Sequence, residues 1–488
     1  MRTKALEYIK DLKSRIATLS PDDIQKEIES ISQKRIAEIR NTKTEVEIKG
    51  TSYYVSNDGN DENDGKSPEK AWKTIERACK EENLTSGDGI FFRRGDLFRG
   101  ILKTDKEGIT LSAYGEGEKP VLTTSLRNSA DPDMWIETDV PGVYEYYEIN
   151  KDCDIGAIIF DDKFTPRKIY RSYEEDGTQL DFRAGRVFND YHDFVDDMTF
   201  FHDRYDTGKI YICSKKGNPA TLAKDIELSR RGAVIYARNH TTIDNLCLAW
   251  TCFGSSSGDS KGLTVQNCEL KWIGGSIQVE LGANKKSMGD RTWPTPFGNG
   301  VEIYGEAVDF TCCNNYFRQQ YDAAVTHQCG RGEKPINNRN VRYYDNVMEH
   351  CVYSIEIFYG ESPLDNRSNN DTIIEGNIMR MGGGFGHYAR PDEEVTALIR
   401  HGAVMKNTND YVIRDNIFDR SKTRLVIAFN DGGSKARYCD NIFVQNKGGK
   451  YMMKCGNDFV YNEDIAEQVA PTNTETGSSY IFVEELGY

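Results

Sequence analysis

One phrase recurs through the second half of the chain and limits what it can fold into. It reads Val341-Arg342-Tyr343-Tyr344-Asp345-Asn346-Val347-Met348, then Thr372-Ile373-Ile374-Glu375-Gly376-Asn377-Ile378-Met379, then Tyr411-Val412-Ile413-Arg414-Asp415-Asn416-Ile417-Phe418. Weaker copies centre on Asn245, Asn267, Asn315 and Asn441, so the Asn spacings are 22, 48, 31, 31, 39 and 25. Each copy is a short β-prone run, an Asn, then more apolar residues. A minimum near 22 with variable additions fits coils of fixed circumference that carry loops. Asn tolerates left-handed backbone and can hydrogen-bond its copies on neighbouring coils. The expected fold is therefore all-β, a parallel β-helix.

Composition agrees. Gly 43 against Pro 13, 11% aromatic residues and a mean hydropathy of -0.65 fit a β-rich chain. The net charge of -15 speaks against a nucleic-acid partner, because neutralising phosphates needs a basic surface. No apolar run reaches membrane-spanning length, so no membrane partner is expected. The start, Met1-Arg2-Thr3-Lys4-Ala5-Leu6-Glu7, lacks the apolar core of a secretory leader. The expected location is cytoplasmic, or secreted if a leader has been trimmed away. The 12 Cys show no CxxC pairing and several sit inside repeats, so free, core-stacked thiols are expected.

Four segments follow. Residues 1–48 read as helical: Leu6, Ile9, Leu12 and Ile16 share a face, and Ser20-Pro21-Asp22-Asp23 supplies an N-cap with Pro at the first helical position. This segment is expected to cap an open end of the coils; a second role open to it is forming a homodimer. Residues 49–124 hold Tyr53-Tyr54-Val55-Ser56-Asn57-Asp58-Gly59, then Ala71-Trp72-Lys73-Thr74-Ile75, Asp88-Gly89-Ile90-Phe91-Phe92-Arg93-Arg94-Gly95-Asp96 and Tyr114-Gly115-Glu116-Gly117. Residues 125–231 break the repeat, and a hairpin is expected around Asp206-Thr207-Gly208. Residues 232–488 resume the coils. Asp58, Asp61, Asn63 and Asp64 resemble a calcium loop without its later bidentate Glu, so a plain turn is the main reading and calcium the alternative; no other cofactor is expected.

The order of motifs over 51–124 resembles the opening of the right-handed parallel β-helix proteins of the pectate-lyase-like superfamily. The repeats from 232 onward resemble it less closely. The resemblance is specific for fold and not for reaction, because that superfamily contains lyases, glycoside hydrolases, epimerases and phage tail enzymes. It implies a carbohydrate-active protein with a poly- or oligosaccharide partner.

Counting from each turn Asn places the chemistry. Ten residues on lie Val325, Glu356, His387 and Val426. Side chains alternate faces along a strand, so position ten is expected to point outward between inward neighbours. Glu356 and His387 then become outward neighbours on adjacent coils, with His327 on the same face at position twelve. Asp322 enters this strand beside the small Ala323 and Ala324, which would leave it accessible, and Glu302 points outward between Val301 and Ile303. Insertions at about 283–299, 328–340, 360–371 and 389–401 are expected to leave one corner and wall this face. They carry Arg291, Trp293, Arg331, Asp365, Arg367, Arg390, Asp392 and His401.

Glu356, Asp322 and Glu302 are the candidate catalytic carboxylates. His327, His387, Arg390, Asp392, Trp293 and Arg291 are the candidate sugar-binding residues. Paired carboxylates suit glycoside hydrolysis, the favoured reaction. A uronate lyase needs a base and a cation, roles open to His387 and Arg390. A non-catalytic carbohydrate-binding protein is the third reading.

Overall fold

A computed structural model describes residues 4–279, 294–360, 362–364, 366–390, 396–402, 407–428, 436–454, 457–469 and 475–485. The chain is mostly β, in long parallel ladders. Ile336–Tyr344 pairs in parallel with Arg367–Glu375, which pairs with Asn407–Arg414. Past the turn, Val347–Glu349 pairs with Ile378–Gly382, which pairs with Ile417–Ser421. A third ladder holds β1 (Val301–Tyr304), β2 (Ala323–Cys329), β3 (Tyr353–Tyr359), β4 (Ala397–His401) and β5 (Arg424–Ala428), each parallel to the next. Three short strands per turn thus stack coil on coil. Alternation sends Val325, Ile355, Ile399 and Val426 into one continuous core with Phe310, Tyr343, Met348 and Phe418.

The turn Asn residues form a buried ladder. The amide N–H of Asn315 donates to Asn346 Oδ1 (3.0 Å), that of Asn346 to Asn377 (3.2 Å), that of Asn377 to Asn416 (2.9 Å) and that of Asn416 to Asn441 (3.0 Å). The left-handed backbone falls one residue earlier, at Asn314, Asp345, Gly376, Asp415 and Asp440. Asn245 and Asn267 belong to that earlier position: Gln266 pairs with Cys313, so Asn267 stacks on Asn314 and Cys268 takes the ladder rung. Their place in the repeat is corrected by one residue.

The N-terminal helices are α1 (Lys4–Arg15) and α2 (Pro21–Arg40), with Ser20 capping α2 through Asp23 N–H. They do not cap an end of the coils. Ala5, Ile9, Leu12, Ile24, Ile28, Ile36 and Ile39 pack on Tyr316, Val347, Ile378, Ile417 and Ile442, the residues just after the ladder Asn. Those side chains make an apolar stripe down the flank, which the helices cover. The Arg35 guanidinium sits 3.5 Å from Asp345, and Arg40 holds Glu269 through two bonds of 2.7 and 3.1 Å. The apolar faces of α1 and α2 are thus buried against the coils.

Trp72 is buried ahead of α3 (Ile75–Cys79) and stacks on Tyr53 at 5.0 Å. The acidic turn beside it is bound to the chain itself: Asp61 accepts from the N–H groups of Lys73 and Thr74, and Asp58 pairs with Arg93. The insertion contains an antiparallel sheet in which Thr199–Asp203 and Lys209–Cys213 form the expected hairpin. The eleven cysteines in the described residues carry free thiols. Among the described residues no helix is long and apolar enough to cross a membrane.

Candidate active site

The outward column of the third ladder reads Ser256, Glu302, Thr326, Glu356, Arg400 and Ile427, by direct pairing of each with the next. Glu302 and Glu356 lie two coils apart, roughly 9.6 Å between Cα atoms from two steps of ~4.8 Å. Both point away from the core, as expected. Asp322, just before β2, joins the cluster through Arg390, whose Nη2 is 2.6 Å from Asp322 Oδ1. Arg400 pairs with Glu356.

All three carboxylates are covered, at 7%, 4% and 3% exposure for Glu302, Asp322 and Glu356. The small residues after Asp322 therefore do not leave it open to solvent. Its oxygen is occupied by Arg390, and its backbone carbonyl accepts from Tyr353 N–H. Glu302 has no cation in contact among the described residues. It accepts from Asn299 Nδ2 (2.7 Å), Gln328 Nε2 (2.8 Å) and Ser256 Oγ (3.3 Å). Burial raises its pKa, against those bonds. Burial pushes Glu356 up to about 7; Arg400 opposes this and the Asp322 charge adds to it. The Arg390 and Arg400 guanidinia both lie over the Tyr353 ring, at 5.7 and 5.1 Å, and Arg390 also lies 5.1 Å from the Tyr321 ring.

Three expected site residues sit elsewhere. His327 points into the core, fully buried, with Nδ1 2.5 Å from the Tyr343 hydroxyl; burial lowers its pKa to about 4. The cause is register. Ala323 lies eight residues past its Asn and pairs with Tyr353, which lies seven past its own. A one-residue slip exchanges faces, so Thr326 is outward while Val325 and His327 are inward. Val426 is inward for the same reason.

His387 is not on the ladder at all. It lies in α4 (Gly384–Ala389), which follows a break at Gly383 and Gly384, both with positive φ, and its Nδ1 is 2.9 Å from Thr396 Oγ1. Arg400, not His387, is Glu356's neighbour. His401 is likewise interior, between the hydroxyls of Tyr411 (3.2 Å) and Tyr438 (3.1 Å).

The walls leave from both ends of the strands rather than one corner. The 383–396 insertion precedes β4, and the segment before β1 also enters the strand, whereas the segments after β2 and β3 leave it. Arg367 ties the last two together by donating to the carbonyls of Gly330, Gly332 and Gly360. Arg331 is exposed. Arg291, Trp293, Asp365 and Asp392 lie outside the described residues.

The residues that sequence reasoning missed are Arg400, Tyr353 and Tyr321. Arg400 had a signal: in Ala397-Leu398-Ile399-Arg400-His401, pairing Ile399 with Ile355 puts Arg400 opposite Glu356. Among the described residues no group of three or more His, Cys, Asp or Glu is arranged to hold a metal ion.

No protein-family model and no curated protein matches the chain. Among solved structures it is similar to a complex of XylC with xylose, at 12% identity and TM-score 0.45, covering 85% of this chain and 74% of that one. It is also similar to the GH136 lacto-N-biosidase from Eubacterium ramulus, at 10% identity and TM-score 0.43, covering 95% and 70%. A third similar structure is a glycoside hydrolase, at 10% identity and TM-score 0.43, covering 88% and 97%. Likenesses this distant carry no argument about function.

Proposed function

We propose that the chain is a right-handed parallel β-helix enzyme of the pectate-lyase-like kind, a glycoside hydrolase acting on a poly- or oligosaccharide. One observation carries the reading: two buried carboxyl groups, each paired with an arginine, stand in one cluster. Burial drives Glu356 towards its protonated acid, although Arg400 pairs with it, and Asp322 is the carboxylate paired with Arg390. Hydrolysis of a glycoside needs one carboxyl of each kind. Glu356 donates its proton to the glycosidic oxygen as the bond to the anomeric carbon breaks. Asp322 supplies the carboxylate that attacks that carbon or takes a proton from the attacking water. Glu302, among its three neutral donors, binds a sugar hydroxyl.

For a sugar to reach Asp322, Arg390 has to swing off it, so the arginine after α4 acts as a gate. The elimination reading has less support. His387 is bonded to Thr396, and the Tyr353 hydroxyl is pushed up to about 12 by burial, which makes it a poor base.

The test is a panel of neutral and acidic glycans, followed both by reducing ends and by the absorbance of an unsaturated uronate. Reducing ends without that absorbance support the hydrolase. Both signals together mean a lyase, and neither means a binding protein. On the substrate found, Glu356→Gln and Asp322→Asn are each expected to lower the rate by about a hundredfold or more. Near-normal turnover by both variants would sink the assignment.

A further inference from the structure

A groove of about 1120 Å³ lies between the end of α2 and the outer face of the opening coils, and it shares no lining residue with the carboxylate cluster. Two cations meet at its wall. Lys119 Nζ donates to Asn245 Oδ1 (2.8 Å) and to Thr42 Oγ1 (2.8 Å), and Arg94 Nη2 donates to the same Asn245 oxygen (3.1 Å) and to the Thr42 carbonyl (2.8 Å). Lys119 is only 5% exposed. Among the described residues neither cation is within ion-pair distance of a carboxylate, whereas the buried Lys168 has Asp154 at 2.6 Å. Asp244 and Glu116 lie near enough to favour the charged forms, and Glu116, Glu118 and Glu269 also line the groove.

Lys119 is desolvated and Arg94 half-buried, and a buried positive charge is costly unless an anion bonds to it. Both keep donors in hand: the ammonium has three hydrogens and makes two bonds, and the guanidinium has five donors and makes three, the third from Nη1 to the Gly117 carbonyl (3.4 Å). The same groove is floored by aromatic rings. Tyr54 stacks on Phe91 at 5.8 Å and meets Tyr114 edge-on at 5.0 Å, and Tyr54 and Tyr114 stay partly exposed. Rings in this setting offer an apolar face, and the cations offer charge-assisted bonds.

We propose that this groove binds a negatively charged saccharide, its carboxylate or sulfate held by Arg94 and Lys119 and a sugar face lying on Tyr54 and Tyr114. The site is independent of hydrolysis and would anchor an acidic glycan beside the first coils. Burial brings Lys119 down to about 8, with the Arg94 charge adding to this and Cys268, Asp244 and Cys247 opposing it, so the affinity should fall as pH rises through that value.

Calorimetry on the full chain tests it, in the Glu356→Gln background so that no ligand is consumed. The probes are a tetragalacturonate, a neutral cellotetraose and inorganic sulfate. The tetragalacturonate is expected to bind at least about tenfold more tightly than cellotetraose. Arg94→Gln and Lys119→Met should each weaken it about tenfold or more, and Tyr114→Ala several-fold. Lys119 is buried and its loss can cost the fold, so the half-buried Arg94 and Tyr114 variants carry the decision if Lys119→Met does not fold. Equal binding of the neutral chain, or unchanged affinity in Arg94→Gln, overturns the proposal. Sulfate binding as tightly as the tetragalacturonate, with no effect of Tyr114→Ala, overturns the saccharide. Because binding and not turnover is read, the outcome stands apart from that of the hydrolase assignment.

Discussion

From Asn315 to Asn441 five successive rungs carry the same side chain, whereas the outward column a few residues away runs Ser256, Glu302, Thr326, Glu356, Arg400, Ile427. Both columns belong to the same coils and the same spacing. In the first, every amide repeats one pattern, accepting from the backbone N–H of the coil before and donating to a carbonyl there. Uniform rungs build the stack. In the second, neighbours differ in charge and size, and the carboxylates need partners from β4 and from the segment after α4. The outward column is free to vary in so far as the stacked strands are held by the Asn column and the core beneath them.

The largest effect should come from breaking the uniform column. Asn377→Leu removes the acceptor of the Asn346 N–H and Nδ2 and the donor to the Tyr343 carbonyl, all buried. Each orphaned group costs ~1–3 kcal/mol, so a loss of about 3–5 kcal/mol is expected by denaturant unfolding. A loss below ~1 kcal/mol would mean that the ladder decorates the stack without supporting it.

Next comes Glu356→Gln. It should cost about a hundredfold in rate, yet less stability than Asn377→Leu, because Arg400 keeps its place over Tyr353 and Phe358. A variant that unfolds as readily as the Asn377 one would make Glu356 a structural rung and erase the contrast between the columns.

A third difference is in pH. Burial raises Glu356 above its ordinary 4.5, so the folded protein holds that proton more tightly than the unfolded chain does. Its contribution to stability is therefore complete below about 4.5 and is lost as pH rises towards about 7. Thermal unfolding across this window should show a smaller fall in Glu356→Gln than in the wild type. The ladder Asn residues do not titrate, so Asn377→Leu should lower the curve without changing its slope here.

The uniform column was legible in the sequence because it repeats. Asn346, Asn377 and Asn416 announce the stack, while Asn245 and Asn267 mislead by one residue because their coils fill the rung with Leu246 and Cys268. The outward column was half legible. Glu302 and Glu356 follow from alternation alone, since each sits between two core residues. His327 was lost to the extra residue ahead of β2, and His387 to an insertion whose only mark is Gly382-Gly383-Gly384. Counting along the chain carries through a strand but not through a loop of unknown length. The helices were found from their periodicity. Their place on the flank was not, because it depends on the residue after each Asn being apolar on the outside.

The smallest effect should come from Thr326, the rung between Glu302 and Glu356. It is fully buried, and its hydroxyl has no hydrogen-bond partner among the described residues. Thr326→Val keeps the shape and removes a polar group that gains nothing from folding. Relief of an unsatisfied hydroxyl is worth up to ~1 kcal/mol at a site that already accepts the side chain, so stability should hold or rise slightly. This is the opposite sign to Asn377→Leu, although both replace a buried polar rung with an apolar one. The difference is that the Asn377 amide is bonded on both sides and the Thr326 hydroxyl on neither. If Thr326→Val instead lost about 2 kcal/mol or more, the hydroxyl would have to be bonded in solution, and the outward column would itself be a ladder.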